Sequence, residues 1–264
     1  MAPFVIPKYF MGRSLEEILK EAEKKELTKE NEKQITSPSS IEDLILYGGS
    51  FTKDNKEGSA LTLLDPKTGK YEVLSRENDP IYTAIPYGDK ILYGGRFTKD
   101  NQGFALTLLD PKTRKYEVLS GENGLIDAIA LYEDKILYGG IFTKDNKEGH
   151  ALTLLDPKTR KYEVLSRENG LIDTIALYGD KILYGGSFTK DNLKGKALTL
   201  LDPKTRKYEV LSREDDWIHT AVLYGDKILY GGSFTKDNLK GKALTLLDPK
   251  TGEYEVLSRE NGRI

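Results

Sequence analysis

The chain has 264 residues, with 40 Lys plus Arg against 42 Asp plus Glu, a net charge of −2, and no cysteine. A balance this near neutral removes the basic face that displaces counterions from nucleic acid. Missing thiols exclude disulfides and Cys-based zinc sites. No apolar run reaches the length that crosses a bilayer, and residues 1–10 are too short and too proline-broken for a secretory h-region. These bounds lead to the expectation of a soluble, cytoplasmic monomer that engages neither nucleic acid nor membrane and carries no cofactor.

In chain order, residues 1 to about 12 are apolar and interrupted by Pro3 and Pro7, which reads as an extended arm. Ser14 with Glu17 three residues on is a capping box. Leu15, Ile18, Leu19 and Ala22 then share one face of a predicted amphipathic helix. Residues 1–34 therefore read as an N-terminal arm and helix. That helix either covers the end of a repeat array or docks a partner.

From residue 35 to 264 one unit is tiled five times around the core Ile-Leu-Tyr-Gly-Gly-x-Phe-Thr-Lys-Asp-Asn. The glycine pairs stand at Gly48-Gly49, Gly94-Gly95, Gly139-Gly140, Gly185-Gly186 and Gly231-Gly232, at steps of 46, 45, 46 and 46 residues. Units of this size cannot bury a core singly and must stack. In residues 81–120 the unit shows four strand signals, A (81–87), B (90–97), C (105–110) and D (116–120), rich in Ile, Val, Tyr, Phe, Thr and Leu. A joins B through Gly88-Asp89, a two-residue hairpin. C joins D through Asp110-Pro-Lys-Thr-Arg114, with Gly69 or Gly252 in place of the arginine elsewhere, which predicts a left-handed residue there.

Strands B and C are apolar on both faces, so each sheet is expected between two others. The reading is an all-β, five-bladed β-propeller of four-stranded antiparallel blades, preceded by the helical segment. Residues 35–41 are the best candidate for a first inner strand. The glycine pair is expected to admit the neighbouring blade or a sharp twist, so Gly140→Val should force a branched side chain into an inter-blade contact.

At these residues the chain resembles the Gly-Gly-x-Phe-Thr class of propeller repeats, the bacterial delta-sixty repeats and, through the double glycine, the kelch repeats. It lacks the tryptophan that follows the glycines in kelch and the Trp-Asp ending of the WD repeat. The units resemble one another far more than that consensus, as after recent duplication or in a designed repeat. The resemblance implies a propeller, often one used in recognition, and brings no catalytic residues.

The expected ligand face carries the long B–C loops (Thr52-Lys-Asp-Asn and copies) and the D–A linkers (Arg76-Glu-Asn-Asp79 and copies). Where units differ, either drift or a unit-specific contact is at work. On strand A the second residue is Tyr82, Asp127, Asp173 or His219, and before it stand Pro80, Leu125, Leu171 or Trp217. After the glycines come Ser50, Arg96, Ile141, Ser187 or Ser233. Trp217 is the single tryptophan, beside Asp215 and Asp216 where two neighbouring units have Asn-Gly. Exposed, it would stack a sugar or anchor a peptide; otherwise it fills a gap in the core.

The candidate ligand-binding residues are therefore Trp217, His219, Asp216, Tyr82, Asp127, Asp173 and Arg96. The expected function is non-catalytic binding of a protein or glycan, with five similar units able to act together. The alternative is a glycoside-acting enzyme, as some five-bladed propellers are, using Asp127 and Asp173 near the axis. Asp54, Asn55 and Glu57 are oxygen donors, but Lys194 and Lys240 replace the acidic member in later units, so calcium is not expected. His150 and His219 lie in different units and make no zinc pair, and a Ser–His nucleophile has little material here.

Overall fold

The computed structural model describes residues 9–10, 13–14, 44–50 and 58–261, apart from 148, 238 and 240. Strands β1 (Tyr9–Phe10) and β2 (Arg13–Ser14) pair antiparallel. The predicted N-terminal helix and the candidate first inner strand at 35–41 lie outside the described residues. The chain divides into two compact units, Met1–Gly121 and Glu122–Ile264.

In the first unit, β3 (Ile45–Ser50), β4 (Ser59–Leu64) and β5 (Tyr71–Glu77) form a three-stranded antiparallel sheet. The next sheet runs β6 (Ile81–Tyr87), β7 (Lys90–Gly95), β8 (Phe104–Leu109) and β9 (Tyr116–Glu122). The second unit holds three sheets of four strands. They are β10 (Ile126–Tyr132), β11 (Lys135–Gly140), β12 (His150–Leu155) and β13 (Tyr162–Glu168); β14 (Ile172–Tyr178), β15 (Lys181–Gly186), β16 (Lys196–Leu201) and β17 (Tyr208–Glu214); and β18 (Ile218–Tyr224), β19 (Lys227–Gly232), β20 (Lys242–Leu247) and β21 (Tyr254–Glu260). Strand order within every sheet follows the chain. The chain thus carries the five antiparallel blades of a five-bladed β-propeller, four of them four-stranded.

Sheets pack face to face because the second and third strands are apolar on both sides. In the second unit Leu152, Leu154 and Leu165 of one sheet meet Ile172, Ile182, Tyr184 and Phe188 of the next. Tyr184 and Phe188 stack at 5.2 Å, and both are fully buried. Each such side chain stabilises the interface by about 1.5–3 kcal/mol. First strands β10, β14 and β18 lie against one another in succession, which places the start of these three sheets on a shared edge.

The two glycines of each pair have separate jobs. A Cβ on Gly139 would lie 2.8 Å from Ile172 Cγ2 of the following sheet, so this position admits the neighbouring blade. A Cβ on Gly140 would lie 2.2 Å from Leu125 O in its own sheet. The inter-blade role expected of Gly140 therefore belongs to Gly139, while Gly140 lets the preceding linker fold tightly over the strand. The turns follow the sequence reading: Arg114, Gly69 and Gly252 take positive φ (61°, 72° and 75°), and Asp110 Oδ1 accepts the Lys112 and Thr113 amides.

The lysines of the four described Phe-Thr-Lys loops, expected on a charged ligand face, turn inward. Lys190 Nζ reaches Glu168 Oε1 at 2.7 Å, and the same oxygen accepts the Tyr184 hydroxyl at 2.8 Å. Burial and the adjacent Glu168 carboxylate hold the Tyr184 phenol well above its usual pKa. Lys99, Lys144 and Lys236 make the same pairing with Glu77, Glu122 and Glu214. A charge pair this dry is held by mutual satisfaction, and losing one member leaves the other stranded.

Candidate functional site

The described first strands all carry an irregularity at the same place. Pairing slips between Ile81 and Thr83, Ile126 and Ala128, Ile172 and Thr174, and Ile218 and Thr220. The extra residue is Tyr82, Asp127, Asp173 or His219, the position at which the units differ most tellingly. A bulge takes one residue out of the ladder and re-aims its side chain. The backbone therefore repeats a display position, and the sequence varies what is displayed.

Beside each bulge sits the residue that follows the glycines. In the first unit Tyr82 is 38% exposed, and Arg96 extends into solvent with its Nε 3.7 Å from Asp79 Oδ1. An exposed pair of this kind is worth at most about 1 kcal/mol. In the second unit Asp127 and Asp173 occupy equivalent bulges on the adjacent strands β10 and β14, each with its Oδ2 buried.

The third sheet of the second unit concentrates the chemistry. Trp217 is 42% exposed, which resolves its two readings in favour of the surface. Its ring meets His219 edge-on at 6.0 Å. Asp216 Oδ1 accepts the Trp217 amide at 2.8 Å, and Asp216 Oδ2 lies 4.0 Å from Lys242 Nζ. His219 Nε2 is 2.9 Å from Ser233 Oγ, and its Nδ1 is 3.8 Å from Asp173 Oδ2 across the sheet boundary. Trp217, Asp216, His219 and Asp173 thus converge on one cluster. Asp127 stands one strand away, and Tyr82 and Arg96 belong to the other unit.

Linker and loop are tied together under this cluster. Asp215 accepts the Thr235 amide at 2.7 Å and the Thr235 hydroxyl at 2.6 Å. Burial works against its charged form, yet the hydroxyl and amide together hold the carboxyl below its usual pKa. Asn169 and Thr189 make the corresponding tie in the preceding sheet.

Ser233 is the member that sequence reading did not select. Its signal was the constant interval of fourteen residues between bulge and post-glycine positions, as in His219 to Ser233. That interval puts the two side chains across from each other on paired strands. His150, by contrast, stands at the start of β12 with burial pushing its imidazole pKa down, and it joins no cluster. Among the described residues no group of three His, Cys, Asp or Glu is placed to hold a metal ion. No described helix is long and apolar enough to cross a membrane.

Neither a family model nor a curated protein matches this chain. Solved structures do. TolB from Acinetobacter baumannii is similar with a TM-score of 0.63 at 16% identity, over 84% of this chain and 54% of that one. An oligogalacturonate lyase in complex with manganese is similar with a TM-score of 0.55 at 17% identity, over 82% of this chain and 62% of that one. This chain matches less than two thirds of the length of either. At such identities the likeness speaks for the β-propeller fold alone, and the Gly-Gly-x-Phe-Thr repeat type has no matching family model behind it.

Proposed function

We propose that the protein is a binding module, and that the linker face around Trp217 recognises a glycan or a protein segment. One observation carries the reading: the single tryptophan is exposed at a place where the other described units carry proline or leucine, flanked by Asp216, Lys242 and His219. An exposed indole with hydrogen-bonding groups beside it suits a sugar ring or an aromatic or prolyl side chain. The distinct bulge residues make this one specialised site rather than five equal ones. The carboxylate-pair alternative would need Asp127 and Asp173 on one substrate, whereas Asp173 turns Oδ2 toward His219.

Because Trp217 is the only tryptophan, intrinsic fluorescence reports on this loop alone. A glycan array and a peptide array, followed by fluorescence titration of the hits, test the proposal. Binding should shift or quench the emission, and Trp217→Ala should weaken it by about 2 kcal/mol, with stability changed by less than about 0.5 kcal/mol. Hits that bind Trp217→Ala as tightly as the unaltered protein would remove this site.

A further inference from the structure

We infer that Ser233 is an activated hydroxyl able to accept an acyl group from a carboxylic ester, with His219 as its base and Asp173 as the residue that positions that base. This goes beyond binding and does not depend on which ligand Trp217 recognises.

The equivalent serine one sheet earlier has a structural job. Ser187 follows the glycine pair of β15, and its Oγ accepts the Leu171 amide at 2.9 Å. That hydroxyl closes the linker. In the next sheet the same amide, now of Trp217, is taken by Asp216 Oδ1 at 2.8 Å. Ser233 Oγ is released from the closing role and instead meets His219 Nε2 at 2.9 Å. The released serine and the imidazole thus arise from one local change, the side chain that Asp216 brings where Gly170 stands in the sheet before.

The other face of the imidazole completes the arrangement. Asp173 Oδ2 is buried without a hydrogen-bond partner, and His219 Nδ1 is 3.8 Å away. A buried carboxylate oxygen lacking a donor is costly. Asp173 and His219 are the extra residues of two neighbouring bulges, so the paired strands hold this carboxylate facing Nδ1 of the imidazole. At their side chains Asp173 and His219 are 14% and 24% exposed, and Ser233 is half-buried, so none of the three is sealed in the core.

In the proposed step Ser233 Oγ attacks the ester carbonyl, and its proton passes to His219 Nε2. The C–O bond to the alcohol breaks, and the departing alkoxide takes that proton. Water, deprotonated by the same nitrogen, then attacks the acyl-serine, releasing the carboxylic acid and restoring the hydroxyl.

The test uses the full chain with diisopropyl fluorophosphate as the labelling reagent and p-nitrophenyl acetate as the ester. Adducts are placed by peptide mass spectrometry, and Ser187 in the same molecule serves as the unactivated serine. Ser233 should label faster than Ser187 by on the order of a hundredfold. His219→Gln, which keeps a polar amide at the bulge, should bring Ser233 down to the Ser187 rate while thermal melting stays put. Asp173→Asn should slow labelling and ester turnover, and Asp173→Glu, which returns a carboxylate, should restore part of both. Equal labelling of the two serines, in the unaltered protein whose fold is not in question, overturns the proposal. Undiminished labelling in folded His219→Gln does so as well.

Discussion

The sheets β14–β17 and β18–β21 have nearly the same sequence, yet they end differently where the linker meets the second strand. In the first, Gly170 has no space for a side chain, since a Cβ would lie 2.8 Å from Ser187 O, and Ser187 fastens the linker amide. In the second, Asp216 carries a side chain at that point, takes the amide itself, and leaves Ser233 to His219. Everything beneath is shared: Glu168 and Glu214 hold Lys190 and Lys236, and Tyr184 and Tyr230 bond the same carboxylates. A rigid, repeated frame thus lets a few linker substitutions turn a closed end into a polar cluster without disturbing the core.

Substitutions in the frame should hurt both sheets alike. A Cβ on Gly186 or Gly232 would lie 2.1 Å from Leu171 O or 2.0 Å from Trp217 O. Gly186→Val and Gly232→Val should therefore each cost about 3–5 kcal/mol in urea unfolding. A tolerated Gly232→Val with a damaging Gly186→Val would show that the two frames are not the same.

The buried ion pairs come next. Glu168→Gln leaves Lys190, whose side chain is 9% exposed, without its counter-charge. The expected loss is about 3 kcal/mol, matched by Glu214→Gln over Lys236. Thermal melts of the two variants should shift together; a loss in only one would limit the shared frame to one sheet.

The smallest effect is a gain. The hairpin joining the first two strands has Gly179 at φ 61° and Gly225 at φ 65°, but Glu133 at φ 55° in the sheet before them. A left-handed residue with a Cβ pays about 1–2 kcal/mol. Glu133→Gly should raise stability by about 1 kcal/mol with no change in ligand binding or serine labelling. A drop in melting temperature would mean that the Glu133 side chain makes a stabilising contact.

Much of the frame was legible because it is written locally. The period, the four strands of the unit and the left-handed residue between its last two strands appeared as sequence patterns, although the second strand stops at Gly95 rather than at residue 97 and the fourth runs on to Glu122. The bulge residues stood out as the places where the units differ. The site was legible in part. Trp217, Asp216, His219 and Asp173 were selected and do converge, while Tyr82 and Arg96 belong to the other unit. Ser233 went unselected because its hydroxyl gains meaning only when Asp216 relieves it of the Trp217 amide. That is a hydrogen-bond exchange with no sequence signature of its own.

The sequence by itself determined the strands, turns and repeat, since these follow from side-chain periodicity and backbone preference within a few residues. Tertiary structure alone decided which charges are buried and which apolar groups are covered. Lys190 reads as a solvated loop residue until the previous sheet brings Glu168 against it, 22 positions back. Leu165 and Leu257 sit in the same Tyr-Glu-Val-Leu-Ser-Arg-Glu strand, yet they are 7% and 48% exposed. Burial and pairing belong to the neighbouring sheet as much as to the residue, so identical segments acquire different physics from what packs against them.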